Sequence, residues 1–181
     1  MLLNSEQIKN IGFKTVGKNV LISDRASFYG AENIAIGDNV RIDDFCILSG
    51  DIEIGNYVHI SAYCALYGRF GIKIGNFCGL SPRCTLFSAS DDFSGENMIS
   101  PMVPEKYTNL NVGRVLLFDY VQIGANSIIM PNVICKEGAV CGAFSFVKKN
   151  LSEWSINTGI PAKKVKERSR VIKKMGEELI F

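Results

Sequence analysis

The sequence predicts an all-β protein, a parallel β-helix with one long external loop and a C-terminal α-helix. Three observations predict it. Aliphatic residues recur at every sixth position, small or β-branched residues follow them four positions later, and one long segment interrupts this repeat. A period of six fits neither the 3.6-residue turn of an α-helix nor the alternation of a simple strand. It fits short flat strands that are joined by tight corners and stacked into coils.

The aliphatic series defines the inward side of each coil. Its members are Ile36, Ile42, Leu48, Ile54, Ile60 and Leu66, then Ile74, Leu80 and Leu86 after a slip of two residues, and finally Leu117, Ile123, Ile129, Cys135, Cys141 and Val147. A looser stretch supplies Val16, Ile22 and Phe28. Stacking these coils would bury one continuous core along the axis.

The six cysteines lie in the same repeat, at positions 46, 64, 78, 84, 135 and 141, without a CxxC pair or zinc-site spacing. Free cysteine packs like a small apolar side chain. The repeat therefore predicts that all six fill the core. It gives no reason to expect a metal site.

The corners of the coils are predicted from IGDN, IGNY, IGNF and IGAN. Glycine, asparagine and aspartate accept turn conformations that bulky residues resist. We therefore expect these residues to supply the special backbone conformations of the corners.

The chain is predicted to form a single domain, residues 1–181. We expect residues 1–15 to form an N-terminal cap with a short helix at 4–11, capped by Asn4 or Ser5. Residues 16–152 are expected to form the β-helix, with a loop at 92–114. Residues 153–181 form a C-terminal segment in which apolar residues at helical spacing predict a helix from about residue 162, packed on the coil.

Composition excludes several classes of partner. The formal net charge of +2 predicts no nucleic-acid partner, and the chain lacks an apolar run that could span a membrane. Its first residues lack the features of a secretory signal. The expectation is a soluble cytoplasmic protein.

The hexads, the loop after SASDD and the ending WSINTGIPAKKVKER resemble the left-handed β-helix (hexapeptide-repeat) acyltransferases. The resemblance covers roughly residues 16–168 and is closest to the galactoside and maltose O-acetyltransferase branch and its polysaccharide-associated relatives. It implies a left-handed helix, acetyl-CoA as donor without a required metal, and a homotrimer with active sites between subunits.

The resemblance also implies where coenzyme A binds. Matching positions are Ala125, Ala143, Lys148, Lys149, Lys163 and Lys166. Small alanines let a thin pantetheine arm approach the backbone, and lysines neutralise phosphates as point charges. The alternative for each lysine is an ordinary solvated surface.

The catalytic positions differ from the family pattern. Asp91 stands where these relatives have their catalytic histidine, and Ser61 matches an active-site asparagine that we expect to contact substrate. His59, the single histidine, lies two residues before Ser61. Since histidine accepts protons near neutral pH, the hypothesis is that His59 is the general base and that Asp91 orients it, within one chain or across a subunit boundary. The alternative is a surface histidine without a task.

The paired acid allows other interpretations. Asp91 or Asp92 could bind sugar hydroxyls or an amino group, an aspartate could itself be the base, or the pair could only organise a turn. Asn97, in the long loop, is a further candidate for contacting the sugar.

The main functional prediction is transfer of an acetyl group to a sugar hydroxyl in surface-polysaccharide biosynthesis. The first alternative is N-acetylation of a nucleotide-linked amino sugar, and the second is a non-catalytic binding scaffold. A zinc carbonic anhydrase on this scaffold would need three histidine ligands, and this chain has one histidine.

Overall fold

A computed structural model describes residues 1–180, and Phe181, the last residue of the predicted C-terminal segment, lies outside it. Two α-helices, α1 (Ser5–Ile11) and α2 (Val171–Ile180), flank the strands. The strands are β1 (Thr15–Val16), β2 (Leu21–Ile22), β3 (Ser27–Tyr29), β4 (Ile34–Ile36), β5 (Arg41–Ile42), β6 (Ile47–Ile54), β7 (His59–Ile60), β8 (Ala65–Ile74), β9 (Gly79–Leu80), β10 (Thr85–Phe87), β11 (Ala89–Asp91), β12 (Leu110–Val112), β13 (Val115–Leu117), β14 (Gln122–Ile123), β15 (Ile128–Ile129), β16 (Ile134–Cys135), β17 (Val140–Cys141), β18 (Phe146–Val147), β19 (Ser155–Gly159) and β20 (Ala162–Glu167). Short 3-10 turns occupy Ala31–Asn33 and Glu105–Tyr107.

The strands stack in parallel on three faces of a left-handed β-helix, as predicted. Face 1 contains β2, β5, β7, β9, β14, β17 and β19. Face 2 contains β3, the first halves of β6 and β8, and then β10, β15 and β18. Face 3 contains β1, β4, the second halves of β6 and β8, and then β13 and β16. We call the edge between faces 1 and 2 the first corner, and the edge between faces 2 and 3 the loop corner.

The core confirms the period of six. Every aliphatic position from Ile36 to Val147 in the predicted series is buried, and so are the small residues four positions later. The first coil is looser, because Val16 is 39% exposed while Ile22 is fully buried.

All six cysteines are free and buried, as predicted. Burial raises the pKa of the Cys78 thiol to about 12 and raises that of Cys135 above its usual range. Because the thiolate is the nucleophilic form, these two thiols are chemically quiet at neutral pH.

The corners differ from the prediction. Left-handed backbone conformations fall on asparagines such as Asn39, but also on bulky residues such as Tyr57 (φ 57) and Phe77 (φ 57). The rings of Tyr57 and Phe77 stack at a centroid distance of 4.9 Å, and Phe77 stacks on Tyr120 at 5.0 Å. Stacking on successive coils therefore offsets the backbone strain at these corners.

The glycines at these corners have a different role from the predicted one. A Cβ atom on Gly37 would lie 2.6 Å from Asn56 Oδ1 and 2.7 Å from Gly55 O. Glycine is needed at this position because adjacent coils approach each other closely. The left-handed backbone conformation lies two residues later, at Asn39 (φ 56).

The N-terminal end of the chain agrees with the prediction, and the C-terminal end does not. Asn4 caps α1, since its side chain accepts a hydrogen bond from the Gln7 amide at 2.9 Å. The prediction of a helix from residue 162 was wrong, because Ala162–Glu167 form β20, which pairs antiparallel with β19. The chain reverses at Gly159 (φ 109) and covers the open edge of face 1.

The C-terminal helix is shorter than predicted, and most of its apolar stripe is exposed. Helix α2 begins at Val171, and Val171, Met175 and Leu179 are all more than half exposed. The buried contact is at Gly176, where an added Cβ would lie 2.2 Å from the Tyr120 hydroxyl. A glycine at this position is what lets the helix approach the corner.

Candidate functional site

His59 lies on face 1, where its side chain points outward while the following Ile60 points into the core. Its side chain is 50% exposed, and its Nε2 lies 2.7 Å from Asp43 Oδ2. Asp43 also accepts a hydrogen bond from Arg41 Nε at 2.7 Å. The stacking of β5 under β7 explains this arrangement, because it pairs Arg41 with His59 and Ile42 with Ile60.

Asp43 is suited to orient the histidine. Its burial opposes ionisation, but the hydrogen bonds from Arg41 and His59 outweigh that effect and lower the pKa of the carboxyl. An ionised carboxylate only accepts hydrogen bonds, so a neutral His59 carries its proton on Nε2. Nδ1 is then left as the ring atom that can accept a proton.

Asp91 lies at the root of the long loop, at the end of β11. It pairs with Leu110 of β12, so a short antiparallel ladder forms the base of the loop. The Asp91 side chain is exposed and lines a cavity of about 480 Å³ at the loop corner, together with Arg69, Ser100, Glu105, Thr108 and others. A volume of this size suits a small organic ligand.

Asp92 and Asn97 contact each other instead of facing an open cavity. Asp92 accepts hydrogen bonds from the Ser94 amide at 2.8 Å and from Asn97 Nδ2 at 2.7 Å. The bond from the Ser94 backbone is the largest of the interactions that lower the pKa of the Asp92 carboxyl. In the structure, Asp92 and Asn97 stabilise the first turn of the loop. Contact of either residue with the substrate remains a prediction.

His59 and Asp91 are not neighbours within one chain. His59 is on face 1 and its carboxylate partner is Asp43, whereas Asp91 follows β10 of face 2 at the loop corner. The predicted pairing of His59 with Asp91 therefore has no counterpart within the single chain.

Ser61, Ala125 and Ala143 lie along the first corner. Ser61 directly follows His59 and Ile60, and its amide donates to Leu80 O at 2.9 Å. Ala125 and Ala143 occupy the same corner on later coils, where the Phe144 amide donates to Ala125 O at 2.8 Å. These small residues line one edge of the β-helix, as a thin extended ligand would require.

The four predicted lysines form two groups. Lys163 and Lys166 lie on β20 beside face 1, opposite Thr158 and Ile156 of β19. Lys148 and Lys149 follow β18 and so lie at the loop corner of the last coil. All four are exposed, and within residues 1–180 none of them forms an ion pair.

Two residues that the sequence did not single out, Asp43 and Arg69, lie beside the candidate site residues. Asp43 has an equivalent position in the repeat to Ser61, one coil earlier, so the hexad spacing alone could have placed it beside His59. Arg69 lies in the two-residue slip between Leu66 and Ile74. That slip was visible in the sequence, but nothing in the repeat showed which cavity it would border.

The part of the chain that the structure describes offers neither a metal-ligating cluster nor a membrane-spanning helix. Residues 1–180 contain no cluster of three or more His, Cys, Asp or Glu side chains that could hold a metal ion. Neither of the helices within this range has the length and apolar character needed to cross a membrane.

Comparison with known proteins identifies relatives of this chain. A family model described as bacterial transferase hexapeptide (six repeats) matches residues 33–68. The chain is 46% identical over 171 residues to a dTDP-4-amino-4,6-dideoxy-D-glucose acyltransferase of Escherichia coli, covering 93% of this chain and 89% of the relative. It is 28% identical over 141 residues to WbbJ of Escherichia coli K12, which carries the name of a lipopolysaccharide biosynthesis O-acetyl transferase, covering 75% of this chain and 69% of that protein.

Solved structures give the same relationship. AntD, an N-acyltransferase from Bacillus cereus in complex with dTDP and 3-hydroxybutyryl-CoA, superposes with a TM-score of 0.97 at 49% identity, covering 99% of this chain and 96% of AntD. A single-site variant of AntD, solved with dTDP-4-amino-4,6-dideoxyglucose and coenzyme A, also has a TM-score of 0.97, at 48% identity, covering 99% of this chain and 96% of the variant.

The class defined by the coil, the loop and these relatives is that of the acyltransferases. The chain belongs to the hexapeptide-repeat acyltransferase family, and its relatives include a dTDP-4-amino-4,6-dideoxy-D-glucose acyltransferase and the N-acyltransferase AntD.

Proposed function

We propose that this protein transfers an acyl group from acyl-CoA to the amino group of a dTDP-linked 4-amino-4,6-dideoxy sugar. The observation that carries the proposal is the near full-length similarity to AntD, whose variant was solved with that amino sugar nucleotide and coenzyme A. This assignment corresponds to the first alternative drawn from the sequence. The O-acetyl transferase among the relatives is more distant, at 28% identity.

The chemistry requires four changes. The amine nitrogen attacks the thioester carbonyl carbon, and a tetrahedral intermediate forms. The nitrogen loses a proton, the carbon–sulfur bond breaks, and the thiolate of coenzyme A takes a proton. A neutral amine attacks a thioester readily, so the protein mainly has to position the two substrates and accept a proton.

We assign the proton-accepting role to His59, because Asp43 holds its ring at 2.7 Å and leaves Nδ1 free. We assign Asp91 to the amino group of the acceptor, because a carboxylate lining a cavity attracts an ammonium or amine. Ser61 would contact the sugar near His59.

We assign the first corner to the donor. The pantetheine arm would follow Ala125 and Ala143, and Lys163 and Lys166 at the end of face 1 would face its phosphates. Lys148 and Lys149 are candidates for the same phosphates from a neighbouring subunit, because they lie at a different corner. The acyl group need not be acetyl, given the 3-hydroxybutyryl-CoA in AntD.

We also propose a homotrimer with active sites between subunits. Two features support it: His59 and Asp91 lie on different faces of one chain, and the loop exposes Phe93, Met98, Ile99, Met102 and Tyr107. Exposed apolar groups of this size commonly mark a contact surface. Acyl-CoA donors are cytoplasmic, so we propose a cytoplasmic location and a role in supplying acylated sugars for surface polysaccharide.

The test is an assay of thiol release from acyl-CoA with matched acceptors. The acceptors are dTDP-4-amino-4,6-dideoxyglucose and the analogue that carries a hydroxyl at the same carbon. We expect turnover with the amine and a product with an amide bond by mass spectrometry. The rate with the hydroxyl should be less than about 1% of that rate, because a neutral alcohol is a much weaker nucleophile than an amine and needs stronger base catalysis. Equal transfer to the hydroxyl analogue would establish the O-acetyl function instead, and no turnover with either would favour a binding scaffold.

A further inference from the structure

The loop corner contains a feature that the reaction proposed above does not use. The coil that carries β8 is two residues longer there than the coil beneath it, because Gly50 pairs with Gly68 and Ile52 pairs with Ile72. The single residue Asp51 therefore lies opposite Arg69, Phe70 and Gly71. The extra residues push Arg69 and Phe70 outward, and both are exposed.

This bulge is held in place from the next coil. Ser88 is fully buried, its hydroxyl donates to Tyr67 O at 2.8 Å, and it accepts a hydrogen bond from the Phe70 amide at 2.9 Å. Ser88 is also the residue directly before β11, so one side chain ties the bulge to the root of the long loop.

The bulge places a cation beside two carboxylates. Arg69, Asp91 and Glu105 line the same cavity of about 480 Å³. The Arg69 guanidinium lies over the Phe70 ring, 5.3 Å from its centroid, and among residues 1–180 it forms no ion pair. An arginine held against a ring with its donors free is a ready site for a phosphate.

We propose that Arg69 binds the diphosphate of the nucleotide-sugar acceptor and that the bulge at 68–71 exists to place it there. This inference rests on the proposed function and adds a specificity-determining residue to it. The amino-sugar nucleotide carries a positive amino group and a negative diphosphate. A cavity with a carboxylate pair and one guanidinium complements both charges.

Coenzyme A is the other source of a diphosphate, and the charges of the cavity argue against it. Coenzyme A has phosphates but no aliphatic amine, so Asp91 and Glu105 would repel it without a compensating contact. The proposed donor lysines on β20 lie several coils farther along the helix axis.

The experiment compares Arg69→Gln with Arg25→Gln. Arg25 is a matched control, because it is also an exposed arginine over an aromatic ring, 5.5 Å from the Phe45 centroid, and it does not line this cavity. Binding of dTDP, thymidine and coenzyme A is measured by calorimetry on the full-length protein, and KM is measured for both substrates. Thermal unfolding of both variants checks that they are folded.

We expect Arg69→Gln to weaken dTDP binding by about 10- to 100-fold, the usual range for hydrogen bonds to a charged group. KM for the nucleotide sugar should rise in parallel. Thymidine, which lacks phosphates, should bind both variants as it binds the wild-type protein, and KM for acyl-CoA should not change. Arg69→Lys should recover part of the affinity, since it restores the charge without the planar fork.

Three results would overturn the inference. Unchanged dTDP binding by Arg69→Gln shows that the guanidinium does not contact the diphosphate. A selective loss of coenzyme A binding assigns the cavity to the donor. If the wild-type protein binds no dTDP, the proposed function is overturned and this inference with it. This outcome is read from the wild-type protein alone, whereas the other two are read from the Arg69→Gln variant.

Discussion

At the scale of single residues, the proposed chemistry depends on side chains that point away from the core. The inward residues Ile60 and Leu80 belong to the apolar repeat, and another aliphatic side chain could replace either of them. His59, directly before Ile60, instead has a specific partner, Asp43, at 2.7 Å. The exposure of His59, at 50%, keeps this pair from adding much stability. Its conformation is therefore better explained by chemistry than by folding.

Replacing His59 tests this interpretation. We expect His59→Gln to lower kcat by about 100-fold or more, the usual contribution of general base catalysis, with little change in KM for either substrate. Asp43→Asn should lower kcat in the same direction but less, because it removes only the group that orients the ring. The measurement is steady-state thiol release at saturating substrates.

A His59→Gln enzyme with wild-type kcat would exclude His59 as the base. Proton acceptance would then pass to Asp91 or to the leaving thiolate. The Asp91→Asn variant separates these two proton acceptors. A loss of kcat identifies Asp91 as the base. A rise in KM for the acceptor with kcat retained identifies Asp91 as a binding group and leaves the thiolate as the proton acceptor.

At the scale of elements, the coils approach one another so closely that some positions admit only glycine. At Gly50, with φ 92, a Cβ atom would lie 2.7 Å from the carbonyl carbon of Gly68 in the next coil. Gly95 has nearly the same backbone conformation, φ 87, but an added Cβ would have no neighbour within 4 Å. Substitutions at Gly95 and Gly50 therefore distinguish the cost of the left-handed backbone conformation from the cost of close contact between stacked coils.

Alanine at these two positions should give different losses of stability. Gly95→Ala should cost about 1 kcal/mol, the strain of a left-handed residue. Gly50→Ala should cost a further ~2 kcal/mol, because backbone atoms of the next coil must shift. Equilibrium denaturation of both variants measures their free energies of unfolding. Equal losses in this free energy would show that the next coil accommodates the added methyl group at Gly50 without an energetic penalty.

The C-terminal elements show where a pattern read from the sequence misleads. Val165, Val171, Ile172, Met175 and Leu179 have helical spacing, yet only those from Val171 onward lie in a helix. Face 1 ends with an open strand edge at β19, and pairing with that edge outweighs the local preference of 162–167. Tertiary pairing of this kind is not visible in spacing.

At the scale of the whole molecule, a single chain leaves its proposed site divided between two corners. The donor positions Ala125 and Ala143 follow the first corner, and Asp91 and Arg69 line the loop corner. A three-fold assembly would bring the loop corner of one subunit toward the first corner of another. The site would then be complete only between subunits.

The oligomer prediction is measurable. We expect a mass in solution of three times the 19.9 kDa chain. Phe93→Asp together with Met102→Asp should dissociate it, because these loop side chains are 79% and 90% exposed and their burial between subunits would be lost. Activity should fall with the mass, whereas Glu96→Ala in the same loop should change neither. A fully active monomer would contradict the proposal.

The sequence by itself determined the coil, its core and the place of the loop, because a period of six specifies which side chains are apolar and inward. It also placed the six cysteines and, through its resemblance to relatives, the family. Only the tertiary structure decided the partner of His59, the contact of Asp92 with Asn97, and the cavity that Arg69 shares with Asp91. Outward side chains find their partners through the register of stacked coils and the path of a loop, and neither leaves a periodic mark in the sequence.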